Sequence, residues 1–167
     1  DWKRDKWSWL SRQVIKRAES LLVRNSGQIV ADNEGIRQYI LKEYGRVSTL
    51  ISYGGDQAKH SIINKEIGSQ FPFLEGGYAF IVTRIQSDNN IEMILRAFMN
   101  QHQLPLVMVG NWNDSLYGKR IKKEYSGKKN LILVDAIYDR AKLDALRSNC
   151  KLYIHGHSAG GTNPSLV

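Results

Sequence analysis

The chain has 167 residues, 42% hydrophobic and 24% charged, with a net charge of +8. That is enough for a sizeable core and is the balance of a globular domain. No run reaches the roughly 18 apolar residues that span a bilayer. The single Cys150 excludes a disulfide framework, and no zinc-type spacing, GxxxxGK[ST] phosphate loop or aromatic RNA-binding signature is present. The first 27 residues carry seven Lys/Arg against Asp1, Asp5 and Glu19, a local excess of +4. Basic surface suits nucleic acid, anionic headgroups or phosphorylated small molecules alike.

Residues 5–25 predict an amphipathic helix, with Trp7, Leu10, Val14, Ala18, Leu21 and Leu22 on its apolar face and basic residues around it. Asn25-Ser26-Gly27 ends it, and a short apolar strand follows at 28–31. Asp32-Asn33 offers an N-cap for a helix over 34–43, stopped by Gly45, and 47–52 predicts a strand. Residues 59–76 mix apolar and polar positions and read as a connector with little regular structure.

From Gly77 the pattern alternates. Strands are expected at 78–83, 106–109, 131–134 and 152–155, and helices at 90–101, 116–125 and 140–148. Such alternation predicts an α/β fold, a Rossmann-like parallel sheet flanked by helices. Ligands of such sheets lie beyond the carboxyl ends of the strands. The candidate site is therefore drawn from 52–56, 84–90, 110–114, 135–138 and 156–165.

Within these segments Arg84 follows a buried-type strand and can grip a diphosphate bidentately, or pair with Asp88 or Glu92. Tyr53-Gly54-Gly55-Asp56 is a glycine loop after a strand. Gly160-Gly161-Thr162-Asn163-Pro164-Ser165 combines backbone donors, hydroxyls and a helix start, an arrangement suited to an anion. A structural turn explains either loop as well. His155 and His157 share one strand face, but no third ligand lies near, so no metal site is expected. Trp2, Trp7 and Trp9 among basic residues suit a membrane interface or simple packing.

Thr83-Arg84-Ile85-Gln86-Ser87-Asp88-Asn89-Asn90-Ile91 resembles a donor-domain segment of family-4 glycosyltransferases, nearest a bacterial rhamnosyltransferase-like branch that reads roughly ARIEPENNI. His155-Gly156-His157-Ser158-Ala159-Gly160-Gly161-Thr162-Asn163-Pro164-Ser165-Leu166 is similar to that branch's HGxxxGGTNPSLLEA. Asp1-Trp2-Lys3-Arg4, Ile29-Val30-Ala31-Asp32-Asn33 and Leu50-Ile51-Ser52-Tyr53-Gly54-Gly55-Asp56 also resemble it.

The resemblance implies a GT-B architecture: residues 1–48 the tail of an acceptor-side domain, and 49–167 a nucleotide-sugar domain incomplete at its end, so that the piece alone is expected to be inactive. It implies sugar transfer, with rhamnose from dTDP-rhamnose, to a lipid-linked saccharide in bacterial surface polysaccharide synthesis. Retention of configuration and independence from metal follow from the resemblance, and no cofactor is expected. Arg84 and Asn89 take the catalytic positions. Tyr53, Gly54, Gly55, Asp56, Gly110, Asn111, Ile137, Tyr138, His157, Gly160, Gly161, Thr162, Asn163 and Ser165 take the donor-binding ones.

Two departures qualify the likeness. Asn89 stands where many members of the wider family have lysine, and Gly160 where they have glutamate. A cytoplasmic setting, peripheral to the inner membrane face through the basic first helix, and no nucleic-acid partner are expected. An epimerase or other nucleotide-sugar enzyme, or a non-catalytic basic binding module, shares the alternating sheet and the charge.

Overall fold

The computed structural model describes residues 2–3, 7–56, 58–100 and 103–157. They form two compact units that meet in sequence between Gly55 and Asp56.

In the first unit, α1 (Trp9–Asn25) begins later than the apolar periodicity predicts, because Ser8 accepts a hydrogen bond from the Ser11 amide and caps it there. β1 (Val30–Ala31) leads to α2 (Glu34–Tyr44), capped by Asn33 and ended by Gly45 at φ 62°. β2 (Thr49–Leu50) pairs parallel to β1, so the strand expected to open the second domain belongs with the first helices.

The predicted apolar face of α1 is not its packed face. Leu10, Val14, Leu21 and Leu22 are exposed, and no α1 residue is fully buried. The partly covered face carries Ile15, Glu19 and Val23. Tyr39 of α2 and Tyr44 both donate hydroxyl hydrogen bonds of 2.7 Å to the Glu19 carboxylate, which turns that face inward.

The second unit is a three-layer α/β/α domain, as the strand–helix alternation predicts. Its connector is more ordered than expected: α3 (Lys65–Gln70), capped by Asn64, and a 3-10 segment at Pro72–Gly76. There follow β3 (Ala79–Thr83), α4 (Ile91–Met99), β4 (Leu106–Gly110), α5 (Leu116–Tyr125), β5 (Leu131–Asp135), α6 (Arg140–Ser148) and β6 (Leu152–Tyr153). All strands run parallel in the order β5-β4-β3-β6.

Strand side chains alternate between faces with period two, and both faces are covered, so each strand reads as a continuous apolar run. Ala79, Ile81, Leu106 and Met108 join Ile94 and Leu95 of α4 and Ile121 of α5. Phe80, Val107 and Val109 join Ile67, Phe71 and Leu74 of the connector and Ala145 and Leu146 of α6. Those three apolar contacts draw the connector into helix, against its weak local pattern.

Candidate functional site

The strand order places the reversal of chain direction between β3 and β6. From β3 the chain steps outward through β4 to β5, then returns to the other side of β3. In open α/β sheets the ligand crevice lies at that reversal, beyond the carboxyl ends of the strands. The segments after β3 and β6 therefore define the candidate site.

Arg84 directly follows β3. It is exposed and has no ion-pair partner among the described residues. Glu92, one of its expected partners, is engaged by Arg96 and Arg120 instead. Asn89 is only 2% exposed. Its Nδ2 donates to the Arg84 carbonyl at 2.8 Å and to Thr83 Oγ1 at 3.2 Å. Thr83 is itself buried, so the hydroxyl and the amide satisfy one another below the surface that carries Arg84.

Asn90 stands at φ 55° and ψ 33°, a left-handed conformation that asparagine tolerates better than most residues. Its Nδ2 donates 2.7 Å to the carbonyl of Gly156, in the segment after β6. Pairing of that segment with β3 continues through the Ile154 amide to the Phe80 carbonyl, at 2.8 Å. Gly156 has no room for a side chain: a Cβ there would lie 2.7 Å from the Asn89 carbonyl oxygen and 2.5 Å from Ile94 Cδ1.

The loop after β4 is tied to the same rim. Asn111 Oδ1 accepts from the Ile85 amide at 2.9 Å, and its Nδ2 donates to Asp114. A Cβ on Gly110 would meet Ile85 Cδ1 at 2.5 Å and the Thr83 carbonyl at 2.7 Å. At the end of β5, Asp135 is held by Lys122 and Asn113; beyond it Ile137 packs against the cluster of Phe80, Val107 and Val109, and Tyr138 is 91% exposed. The rings of His155 and His157 stack with centroids 4.6 Å apart.

The second unit thus gathers Arg84, Asn89, Gly110, Asn111, Ile137, Tyr138 and His157 on the carboxyl-end rim of one sheet. Tyr53, Gly54 and Gly55 follow β2 in the first unit and are exposed, as is Asp56 at the start of the second. Gly160, Gly161, Thr162, Asn163 and Ser165 lie outside the described residues. Sequence reasoning singled out neither Asn90 nor Thr83. A signal for Asn90 was available, since an asparagine just before a helix after a strand suits both a cap and a left-handed turn. Thr83, as the last residue of an apolar strand, offered none.

Among the described residues no group of three or more His, Cys, Asp or Glu side chains is placed to hold a metal ion, and no helix is long and apolar enough to cross a membrane. Residues 1–56 match a family described as a domain of unknown function, DUF1972. No curated protein matches the chain.

Proposed function

We propose that the chain is the nucleotide-sugar-binding part of a glycosyltransferase. The observation that carries the reading is Arg84: an exposed guanidinium, without an acidic partner among the described residues, at the reversal point of a parallel sheet. A second support is the match over residues 1–56, since DUF1972 is a domain associated with glycosyltransferases.

In sugar transfer the bond between the anomeric carbon and the diphosphate oxygen breaks. The diphosphate leaves with the electron pair, and an acceptor hydroxyl forms the new bond to that carbon and gives its proton to the departing diphosphate. Negative charge grows on the leaving phosphates, and a preorganised cation there lowers the barrier. Arg84 supplies that cation, and its planar fork suits two phosphate oxygens at once. The exposed Tyr138 ring, beyond β5, offers a face on which a base can stack. The finer terms, rhamnose from dTDP-rhamnose, retention without a metal and a lipid-linked saccharide acceptor, follow from the motif resemblance. The exposed Trp9, Leu10, Val14 and Leu21 of α1, beside Arg17 and Arg24, suit contact with an anionic inner leaflet.

Calorimetric titration with dTDP, UDP and GDP tests the reading. A nucleoside diphosphate is expected to bind more tightly than its monophosphate, with one base preferred. A basic module would bind polyanions with steep salt dependence and no base preference. Absence of binding by all three diphosphates would overturn the proposal.

A further inference from the structure

We infer that Asn89 and Asn90 are a pair of positioning residues, two consecutive amides turned in opposite directions, which set the backbone that carries Arg84 and latch it to the segment after β6. The inference rests on the reading of Arg84 as the diphosphate-binding cation.

Asn89 faces back into the protein. Both hydrogens of its Nδ2 have acceptors, Arg84 O and Thr83 Oγ1, and its Oδ1 is buried without a partner among the described residues. At 2% exposure the side chain holds the main chain under Arg84 and leaves the guanidinium above it free. A buried acceptor left unmatched is unfavourable for folding, so a residue that keeps one is held there by what its other atoms do.

Asn90 faces outward, across the rim. Each of α1, α2, α3, α5 and α6 has a cap side chain that accepts a hydrogen bond from its own first turn. At α4 the cap position is Asn90, and its side chain makes no such bond. The amide instead reaches the Gly156 carbonyl, 66 positions along the chain. Gly156 in turn sits against the Asn89 carbonyl with no space for a Cβ. The two segments thus interlock through one side-chain bond and one close backbone approach.

A double-mutant cycle on dTDP affinity tests the role of Asn89. Asn89→Ala is expected to weaken dTDP about tenfold in the otherwise unaltered protein and less than about twofold in the Arg84→Ala background. Equal losses in both backgrounds would mean direct contact with the ligand, and no loss in either would mean no role; both overturn the assignment. Asn90→Gly keeps the positive φ and removes only the amide. Hydrogen exchange of the ligand-free protein is then expected to quicken at 154–157 as well as at 84–91. Quickening confined to 84–91, or none, would overturn the latch. This second readout stands apart from the donor reading: if Arg84→Ala leaves dTDP affinity unchanged, the transferase proposal fails while the exchange result still decides the latch.

Discussion

Arg84, Asn89 and Asn90 lie within seven residues, yet each meets a different environment. The guanidinium stands in solvent, the first amide is buried beneath it, and the second crosses to another segment. The resemblance set both Arg84 and Asn89 at catalytic positions, the first as the cation and the second as a hydrogen-bonding group, and a motif carries residue types without the direction of a side chain. Gly110 belongs to the same rim and supplies a test of its packing. Gly110→Ala is expected to destabilise by about 1–3 kcal/mol, since the new methyl meets a backbone oxygen that has no freedom to withdraw. Gly27→Ala, with nothing within 4 Å of the added Cβ, is expected to change stability by less than about 0.5 kcal/mol. Chemical denaturation of the two variants checks the contrast, and equal stabilities would contradict the crowding.

Among the elements, the helices and strands of the second unit follow from local pattern, because apolar runs bounded by Gly, Asn and Ser mark strands covered on both faces. Helices α5 and α6 take the boundaries that pattern predicts, with Ser115 and Asp139 as caps. The connector was illegible because six residues with Gly68 and Ser69 show little periodicity, and burial of Ile67, Phe71 and Leu74 decides the outcome. Its start is held by the end of α6. Ser148 Oγ accepts from the Ser61 amide at 3.1 Å, and Asn149 Nδ2 donates to the Ser61 carbonyl at 3.2 Å. Asn149→Ala is expected to cost about 1 kcal/mol and to speed proteolysis beside the exposed Ile62. Unchanged cleavage there would show that this tie does not hold the connector.

In the first unit the exposed stripe of α1 shows why amphipathic spacing alone did not identify the packed face. Glu19, a charged residue on the other side, is drawn inward by two tyrosine hydroxyls. Burial works to raise its pKa, and the hydrogen bonds from Tyr39 and Tyr44, together with further favourable charge and hydrogen-bond contributions, leave it below the ordinary carboxylate value. A carboxylate lowered on folding contributes stability above its unfolded pKa and loses it as pH falls through the folded one. The first unit should therefore weaken as pH falls below about 4.5, and Glu19→Gln should flatten that limb of an unfolding-versus-pH curve. An unaltered acid limb in Glu19→Gln would remove Glu19 as its cause.

Over the whole molecule, the location of the site depends on something no local pattern contains: which strand β6 joins. The apolar run near residue 152 announces a strand, but pairing with β3 and not β5 is a long-range outcome. That pairing sets the reversal point and brings Gly156 to Asn90. The sequence therefore names the loops that bear the candidate residues, while strand order decides which two form the crevice. Net charge of +8 is a property of the same scale, favouring encounter with any anion without selecting one.

The central claim is that the Arg84 guanidinium binds a nucleoside diphosphate, and the dTDP affinity of Arg84→Ala measured by calorimetry against the unaltered protein tests it most directly. The account predicts a loss of about 2 kcal/mol, a roughly thirtyfold rise in Kd, with unchanged thermal stability. Equal affinity in the two proteins would contradict it.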